Sequence, residues 1–158
     1  MKIELPEKPE YLSERIYRMC IDLVNEVNEG KSRIEKIGRI VLQVSNDCVE
    51  GLRKMVIDCS TGSVRECYDF FGIHDIQVIS DEEGIFQFKL FLTTVKVYAN
   101  RNEIVIEFPS NYRLDGCVVM SSINPLIQTL RRSYTWIKIK EVDMCNTDIL
   151  RTILVLTR

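Results

Sequence analysis

The stretch LSERIYRMCIDLVNEVNEGKSRIEKIGRIVLQVSNDCVEGLRKMVIDC, residues 12–59, decides how the chain folds, and apolar residues recur in it at alternating spacings of three and four. On a helix, these spacings put the apolar side chains on one stripe. The stripe has two rows: Cys20, Val27, Ile34, Val41, Cys48 and Met55, and Ile16, Leu23, Gly30, Ile37, Val44 and Gly51. The pattern therefore predicts helical structure across the N-terminal third of the chain.

Two helical arrangements fit this stretch. Gly30 favours a break, because glycine is the usual left-handed residue at the end of a helix, and Ser32 with Glu35 matches a capping box that opens a second helix. That reading gives an antiparallel helical hairpin, whose apolar side chains would face the protein's own core. The unbroken seven-residue register across Gly30 favours one long helix instead, and β-branched residues in the row of Val27 then favour a parallel two-stranded coiled coil.

In the coiled-coil reading, the apolar stripe is an interface between two copies of the chain. We predict a parallel homodimer that is stabilised by burying apolar area at about 25 cal/mol per Å². The predicted interface consists of Ile16, Cys20, Leu23, Val27, Ile34, Ile37, Val41, Val44, Cys48 and Met55.

Composition and charge narrow the function classes. The 158 residues amount to about one domain, with 46% hydrophobic and 28% charged residues and a net charge of −2. This charge gives no global attraction to nucleic acid or anionic lipid. No apolar run approaches the roughly 18 residues of a membrane span, and the N-terminus lacks the apolar core of a secretory signal. We therefore expect an intracellular protein, in the cytoplasm or nucleus, with no membrane partner.

The cysteines do not form a metal-binding pattern. None belongs to a Cys-x-x-Cys pair, and the chain has one histidine, so a zinc site is disfavoured. Buried reduced thiols are the simpler reading, because free cysteine packs as a small hydrophobe. The six are Cys20, Cys48, Cys59, Cys67, Cys117 and Cys145.

Beyond residue 60 the pattern changes to that of a mixed unit. Apolar and polar residues alternate over 76–80, 86–98, 103–108 and 136–142, which predicts strands joined by short turns. Asn124 followed by Pro125 predicts the start of a late helix. We therefore predict an α+β fold, in which an N-terminal long helix or helical hairpin (1–59) precedes a small antiparallel sheet with flanking helices (60–158).

The first candidate catalytic site is the acidic turn of Asp81, Glu82 and Glu83, with Lys89 on the next strand. Metal-dependent nucleases hold Mg²⁺ with carboxylates at strand ends and use a lysine to stabilise charge. A second carboxylate would have to come from Asp75 or Glu103. The ordinary alternative is a solvated hairpin turn, since Asp, Glu and Gly are common turn residues.

The second candidate is a basic cluster with aromatic residues in it, as in sites that bind single-stranded nucleic acid. The alternative is a solvated helix end next to the outer face of a strand, since arginines are favourable near a helix C-terminus. The cluster consists of Arg131, Arg132, Tyr134, Trp136, Lys138 and Lys140.

The layout of the chain resembles the globular ends of RWD-type kinetochore proteins. The resemblance covers residues 34–108 and rests on a coil-like helix, a corner at Phe70-Phe71-Gly72-Ile73 and a strand meander over 85–108. It implies a non-enzymatic dimer that docks other proteins on its sheet or helix face, and it transfers no site residue. Two features depart from the pattern: the first helix is short and contains glycine, and 136–142 reads as an extra strand.

These observations lead to one interpretation with two alternatives. We predict a non-enzymatic interaction and assembly module that homodimerises through its N-terminal helix, docks other proteins on its α+β part and needs no cofactor. The alternatives are a nuclease that requires Mg²⁺ and a protein that binds single-stranded nucleic acid.

Overall fold

The computed structural model describes residues 2–5, 7–8, 12–61, 76–133 and 137–143. Its helices are α1 (Glu14–Asn28), α2 (Asn46–Thr61), α3 (Tyr112–Val118) and α4 (Asn124–Ser133), and a π-helical turn (Val119–Ile123) joins α3 to α4. Its strands are β1 (Lys36–Val44), β2 (Ile76–Glu82), β3 (Ile85–Leu90), β4 (Thr93–Tyr98), β5 (Glu103–Ser110) and β6 (Ile137–Asp143). The predicted α+β class is confirmed. Within the described part of the chain, no helix has the length and apolar character needed to cross a membrane.

The six strands form one antiparallel sheet in the order β2-β3-β4-β5-β1-β6. The strands from β2 to β5 follow each other along the chain and are linked by short turns. The N-terminal strand β1 then inserts between β5 and β6, pairing with β5 from Lys36↔Ser110 to Gln43↔Glu103. The segment 1–59 therefore supplies an interior strand to the same sheet as the rest of the chain.

The helix predicted across residues 36–44 is wrong, because these residues form β1. The hairpin reading placed the first break correctly: α1 ends at Asn28, and Gly30 adopts a left-handed φ of 77°. No second helix opens after Ser32. The run from Arg39 to Val44 is rich in β-branched and aliphatic side chains, which favour a pleated strand with neighbours on both sides.

The coiled-coil seam is not formed, because its residues are divided among α1, β1 and α2. Most of them are buried within the single chain, whereas Ile37 on β1 is 44% exposed. The buried members are Cys20, Leu23, Val27, Val41, Val44 and Cys48, and the half-buried ones are Ile16, Ile34 and Met55. These side chains therefore stabilise the protomer itself, and homodimerisation stays a prediction.

The two faces of the sheet have opposite character. The face towards the helices carries the core, including Phe88, Ile106 and Leu42, all fully buried. The open face carries cross-strand ion pairs: Lys96–Glu107 at 2.8 Å, Arg39–Glu141 at 3.5 Å and Lys36–Asp143. Among the described residues, the helices therefore lie on the core side of the sheet, and the other face is the more polar one.

The period-two segments folded largely as predicted. Strands lie over 76–80 and 103–108, and the rows Phe86–Phe88–Leu90 and Ile104–Ile106–Phe108 face inward. The late helix begins at Asn124, and β6 follows it. Beyond the predicted strand, Pro109 and Ser110 also belong to β5, and α3 begins at Tyr112.

The contact between Gly38 and Phe108 gives a test of the β1–β5 pairing. A Cβ on Gly38 would lie 2.5 Å from Cε2 of the buried Phe108 ring, which is an overlap. We expect Gly38→Ala to lower the free energy of unfolding by about 1–3 kcal/mol, the usual cost of overpacking. Urea denaturation measures it. In a Phe108→Leu background the same substitution should cost clearly less, and an unchanged midpoint for Gly38→Ala alone would contradict the pairing.

Candidate functional site

An apolar groove of about 420 Å³ lies between α1 and the segment formed by α3 and the π-helical turn. This volume falls within the range of ligand-binding clefts. Its lining residues are Ile16, Met19, Asp22 and Leu23 from α1, and Arg113, Gly116, Cys117 and Met120 from the opposite wall.

Two methionines stand at the rim of this groove. Met19 is 53% exposed and Met120 is 45% exposed, although each neighbours a residue that is packed inward. On α1, Cys20 and Leu23 face the core, so Met19 lies at the edge of the buried stripe. Methionine is flexible and polarizable and is common on surfaces that bind apolar partners. The rim is therefore apolar and adaptable.

Hydrogen bonds fix the wall that α3 forms. The Asn111 side chain caps α3, because its Oδ1 accepts from the backbone N–H groups of Leu114 at 2.8 Å and Arg113 at 3.1 Å. The same amide donates to the carbonyl oxygen of Arg33 at 2.8 Å, which ties α3 to the chain before β1. Such caps are worth about 1 kcal/mol each.

Opposite charges lie on the two walls. Asp22 lines the groove from α1, and Arg113 lines it from α3. Arg113 Nη1 also lies 2.7 Å from Glu26 Oε2, one turn further along α1, and this ion pair joins the walls at one end. The groove is therefore apolar along its length, with an acidic and a basic side chain across from each other.

Two cysteine thiols lie beneath the rim, where α1 meets α3. Cys20 is fully buried and hydrogen-bonds to Cys117, which lines the groove. The hydrogen bond from Cys20 and the charge of Arg113 lower the pKa of Cys117. The same hydrogen bond and burial raise the pKa of Cys20. Burial also raises the pKa of Cys48, a free thiol in α2, to about 12.

The predicted nuclease residues are not brought together. Asp81 pairs with Phe86 across the β2–β3 hairpin and so projects towards the helices, whereas Lys89 alternates with the buried Phe88 and projects to the open face. The Asp81 carboxylate forms an ion pair with Arg53 of α2. Nε of Arg53 donates to Oδ1 at 3.2 Å, and Nη2 donates to Oδ2. This hydrogen bonding holds the pKa of Asp81 below its ordinary value.

The other acidic residues complete an ordinary turn. Glu82 ends β2, and Glu83, with φ of 55°, forms the turn with Gly84. Glu103, the suggested second carboxylate, is on β5 and pairs with Lys140 at 2.5 Å. Within the described ranges, no group of three or more His, Cys, Asp or Glu side chains is placed to hold a metal ion.

The predicted nucleic-acid cluster is split by the fold. Arg131 and Arg132 are exposed at the C-terminal end of α4, on the helix side of the sheet. Lys138 pairs with Gln43 on the open face, and Lys140 is held by Glu103. Tyr134 and Trp136 lie outside the described residues, as do Asp75 and the corner Phe70-Phe71-Gly72-Ile73.

The sequence analysis missed most of the groove. It assigned Ile16 and Leu23 to an interface but did not single out Met19, Met120 or Arg113. A signal was present: Met19 extends the apolar stripe of α1 by one position, and the run 117–120 ends in an apolar residue before a polar pair. The sequence pattern does not show, however, that α3 lies beside α1.

Comparison with known proteins gives no relative: no protein family, no curated protein and no solved structure matches this chain. The resemblance to RWD-type proteins therefore stays a prediction.

The Arg53–Asp81 pair predicts a measurable pH effect. A carboxyl group whose pKa is depressed on folding adds stability above its unfolded value, and this stability is lost as the pH falls through the lower folded value. We expect Arg53→Ala to move the pKa of Asp81 upward towards 3.8, its ordinary value, and to reduce the pH dependence of stability below about pH 4. Carboxyl-detected NMR titration measures the shift. Arg39→Ala, on the other face, is the control, and a pKa of Asp81 that is unmoved by Arg53→Ala would contradict the assignment.

Proposed function

We propose that this chain is a non-enzymatic assembly module that homodimerises by packing its α1–α3 groove against the groove of a second copy. The observation that carries the proposal is the pair of exposed methionines, Met19 and Met120, on the rim of an apolar groove. Exposed apolar surface of this kind is typical of interaction sites. The homodimer proposed here uses helix α1, as predicted from the sequence, and shares Ile16 and Leu23 with the predicted interface, but it adds Met19 and the wall formed by α3.

The contrast with the open face of the sheet supports this choice of surface. There, most charged side chains of β1, β4, β5 and β6 are already paired with one another. Docking a partner would have to desolvate these pairs, and the desolvation of charges offsets much of what contacts would gain. The groove has few polar atoms to desolvate, so it gains more free energy per unit of buried area.

Charge placement supports a second copy as the occupant. In a twofold dimer, any residue i that meets a partner's residue j is matched by j meeting the partner's i. Asp22 and Arg113 lie on opposite walls, so two grooves packed face to face can place each Asp22 next to the partner's Arg113. The surface is thus complementary to itself in charge as well as in apolar character. Other proteins are then free to dock elsewhere on each protomer.

The rim methionines provide the main test. We expect Met19→Asp combined with Met120→Asp to weaken dimerisation by about 100-fold, equal to about 2.7 kcal/mol, because each substitution places a charge in the buried part of the interface. Analytical ultracentrifugation across a concentration series measures the dissociation constant. Both side chains are about half exposed in the protomer, so folding should be retained, which circular dichroism checks.

The matched control is Ile79→Asp, a similarly exposed apolar residue on β2 that does not line the groove. It should leave the dissociation constant unchanged. A monomeric wild-type chain, or a dimer that tolerates both methionine substitutions, would reject the proposal.

Charge reversal tests the arrangement of the two copies. We expect Asp22→Arg alone or Arg113→Glu alone to weaken the dimer by roughly tenfold, and the double variant to recover most of the loss, since the pair is restored with opposite sign. Glu26→Gln is the control, because it removes the partner of Arg113 within the protomer and leaves Asp22 intact. Additive losses in the double variant would argue against a twofold arrangement.

A further inference from the structure

The thiols of Cys20 and Cys117 form a pair that the proposed assembly role does not use. They come from different helices, they are hydrogen-bonded to each other, and neither is in a disulfide. The π-helical turn after α3 places Ser121 against the Cys20 thiol and leaves Cys117 facing the groove. Turns of π-helix inside α-helices frequently mark functional positions.

The two thiols have different environments. Cys117 lines the groove and is 5% exposed, so it is the thiol of the pair that borders the space a small solute would fill, whereas Cys20 is fully buried. Arg113, which lines the same groove, adds positive charge next to Cys117. A thiolate is the reactive form of cysteine, and nearby positive charge favours it. Cys117 is therefore placed to react first, and Cys20 is placed to react with the product.

We propose that Cys117 and Cys20 form a redox modification site, in which a peroxide that enters the α1–α3 groove converts the two thiols into a disulfide linking α1 to α3. Cys117 acts as the attacking thiolate and Cys20 as the resolving thiol. The inference concerns the protomer whose groove is open. A second copy packed into the groove, as proposed above, would exclude the peroxide, so the reaction then takes place on the dissociated protomer.

The reaction balances in two steps. First, the Cys117 thiolate attacks one peroxide oxygen, so that an S–O bond forms, the O–O bond breaks, and the leaving hydroxide takes up a proton as water; Cys117 becomes a sulfenic acid. Then the Cys20 sulfur attacks the Cys117 sulfur, so that an S–S bond forms and the S–O bond breaks, and hydroxide leaves as water with the Cys20 proton. Overall, two thiols are oxidised to a disulfide and one hydrogen peroxide is reduced to two waters.

The consequence is a covalent link across the floor of the groove. In the reduced protein, α1 and α3 are joined by apolar packing and by the Arg113–Glu26 ion pair at one end. A disulfide between Cys20 and Cys117 would add a fixed link beneath the methionines and hold the two walls at one separation. Reduction by a small thiol would remove the link.

The experiment uses the full chain, reduced and then treated with hydrogen peroxide at a concentration equal to that of the protein. Free thiols are blocked under denaturing conditions, and peptides are mapped by mass spectrometry. We expect a linked peptide pair that contains Cys20 and Cys117, that is reversed by dithiothreitol, and that forms at least about tenfold faster than Cys48 is oxidised. Pairing of Cys117 with any other cysteine, or loss of Cys48 or Cys59 thiol before Cys117, would overturn the proposal.

Two single variants test the roles of the two cysteines separately, so the test does not depend on both variants being folded. With Cys20→Ala, Cys117 should accumulate as a sulfenic acid that dimedone labels, and with Cys117→Ala, Cys20 should stay reduced. Cys48→Ala is the matched control, a buried free thiol in α2, and it should leave the linked pair unchanged. The Met19→Asp, Met120→Asp variant should form the same disulfide, so a failure of the dimer proposal and a failure of this one give different results.

Discussion

The pairing of β1 with β5 and β6 is the constraint on which the rest of the molecule depends. Strand β6 contacts the sheet through β1, so without β1 the sheet would end at β5. The inward side chains Ile40, Leu42 and Val44 lie beside those of β5 and complete the floor of the core. Since α1 precedes this strand and α2 follows it directly, inserting β1 also brings both helices onto the same face of the sheet.

Two polar side chains that this insertion buries, Glu103 and Asn111, have partners. Glu103 on β5 is 6% exposed, and Lys140 at 2.5 Å and Arg101 at 3.9 Å lie next to its carboxylate. The buried Asn111 amide bonds to both α3 and the chain before β1. A buried carboxylate or amide without partners would cost several kcal/mol. These contacts therefore specify the register at which β1 and β6 enter the sheet, and they join α3 to it.

The groove results from the orientation of α1 on the sheet. Its stripe of Cys20, Leu23, Val24 and Val27 faces the sheet and α3, and so leaves Met19 at the margin, where no described element covers it. The short α3 and its π-helical extension then place Met120 on the opposite margin. An apolar rim of this kind is unfavourable in water, and a partner surface would relieve that cost. Of the two thiols beneath it, Cys117 lines the groove, whereas Cys20 is fully buried.

The sequence by itself determined the α+β class, the strands over 76–80 and 103–108 and the start of α4 at Asn124, since each of these follows from a local period or from a residue next to a helix end. Only the tertiary structure decided that residues 36–44 are a strand and that Met19 meets Met120 across a groove. The apolar spacing of the N-terminal third fits a helix whether residues 36–44 are helical or extended. The spacing shows which side chains are buried, but not what they pack against. What they pack against is set by partners far along the chain, at 103–110 for β1 and at 112–120 for α1.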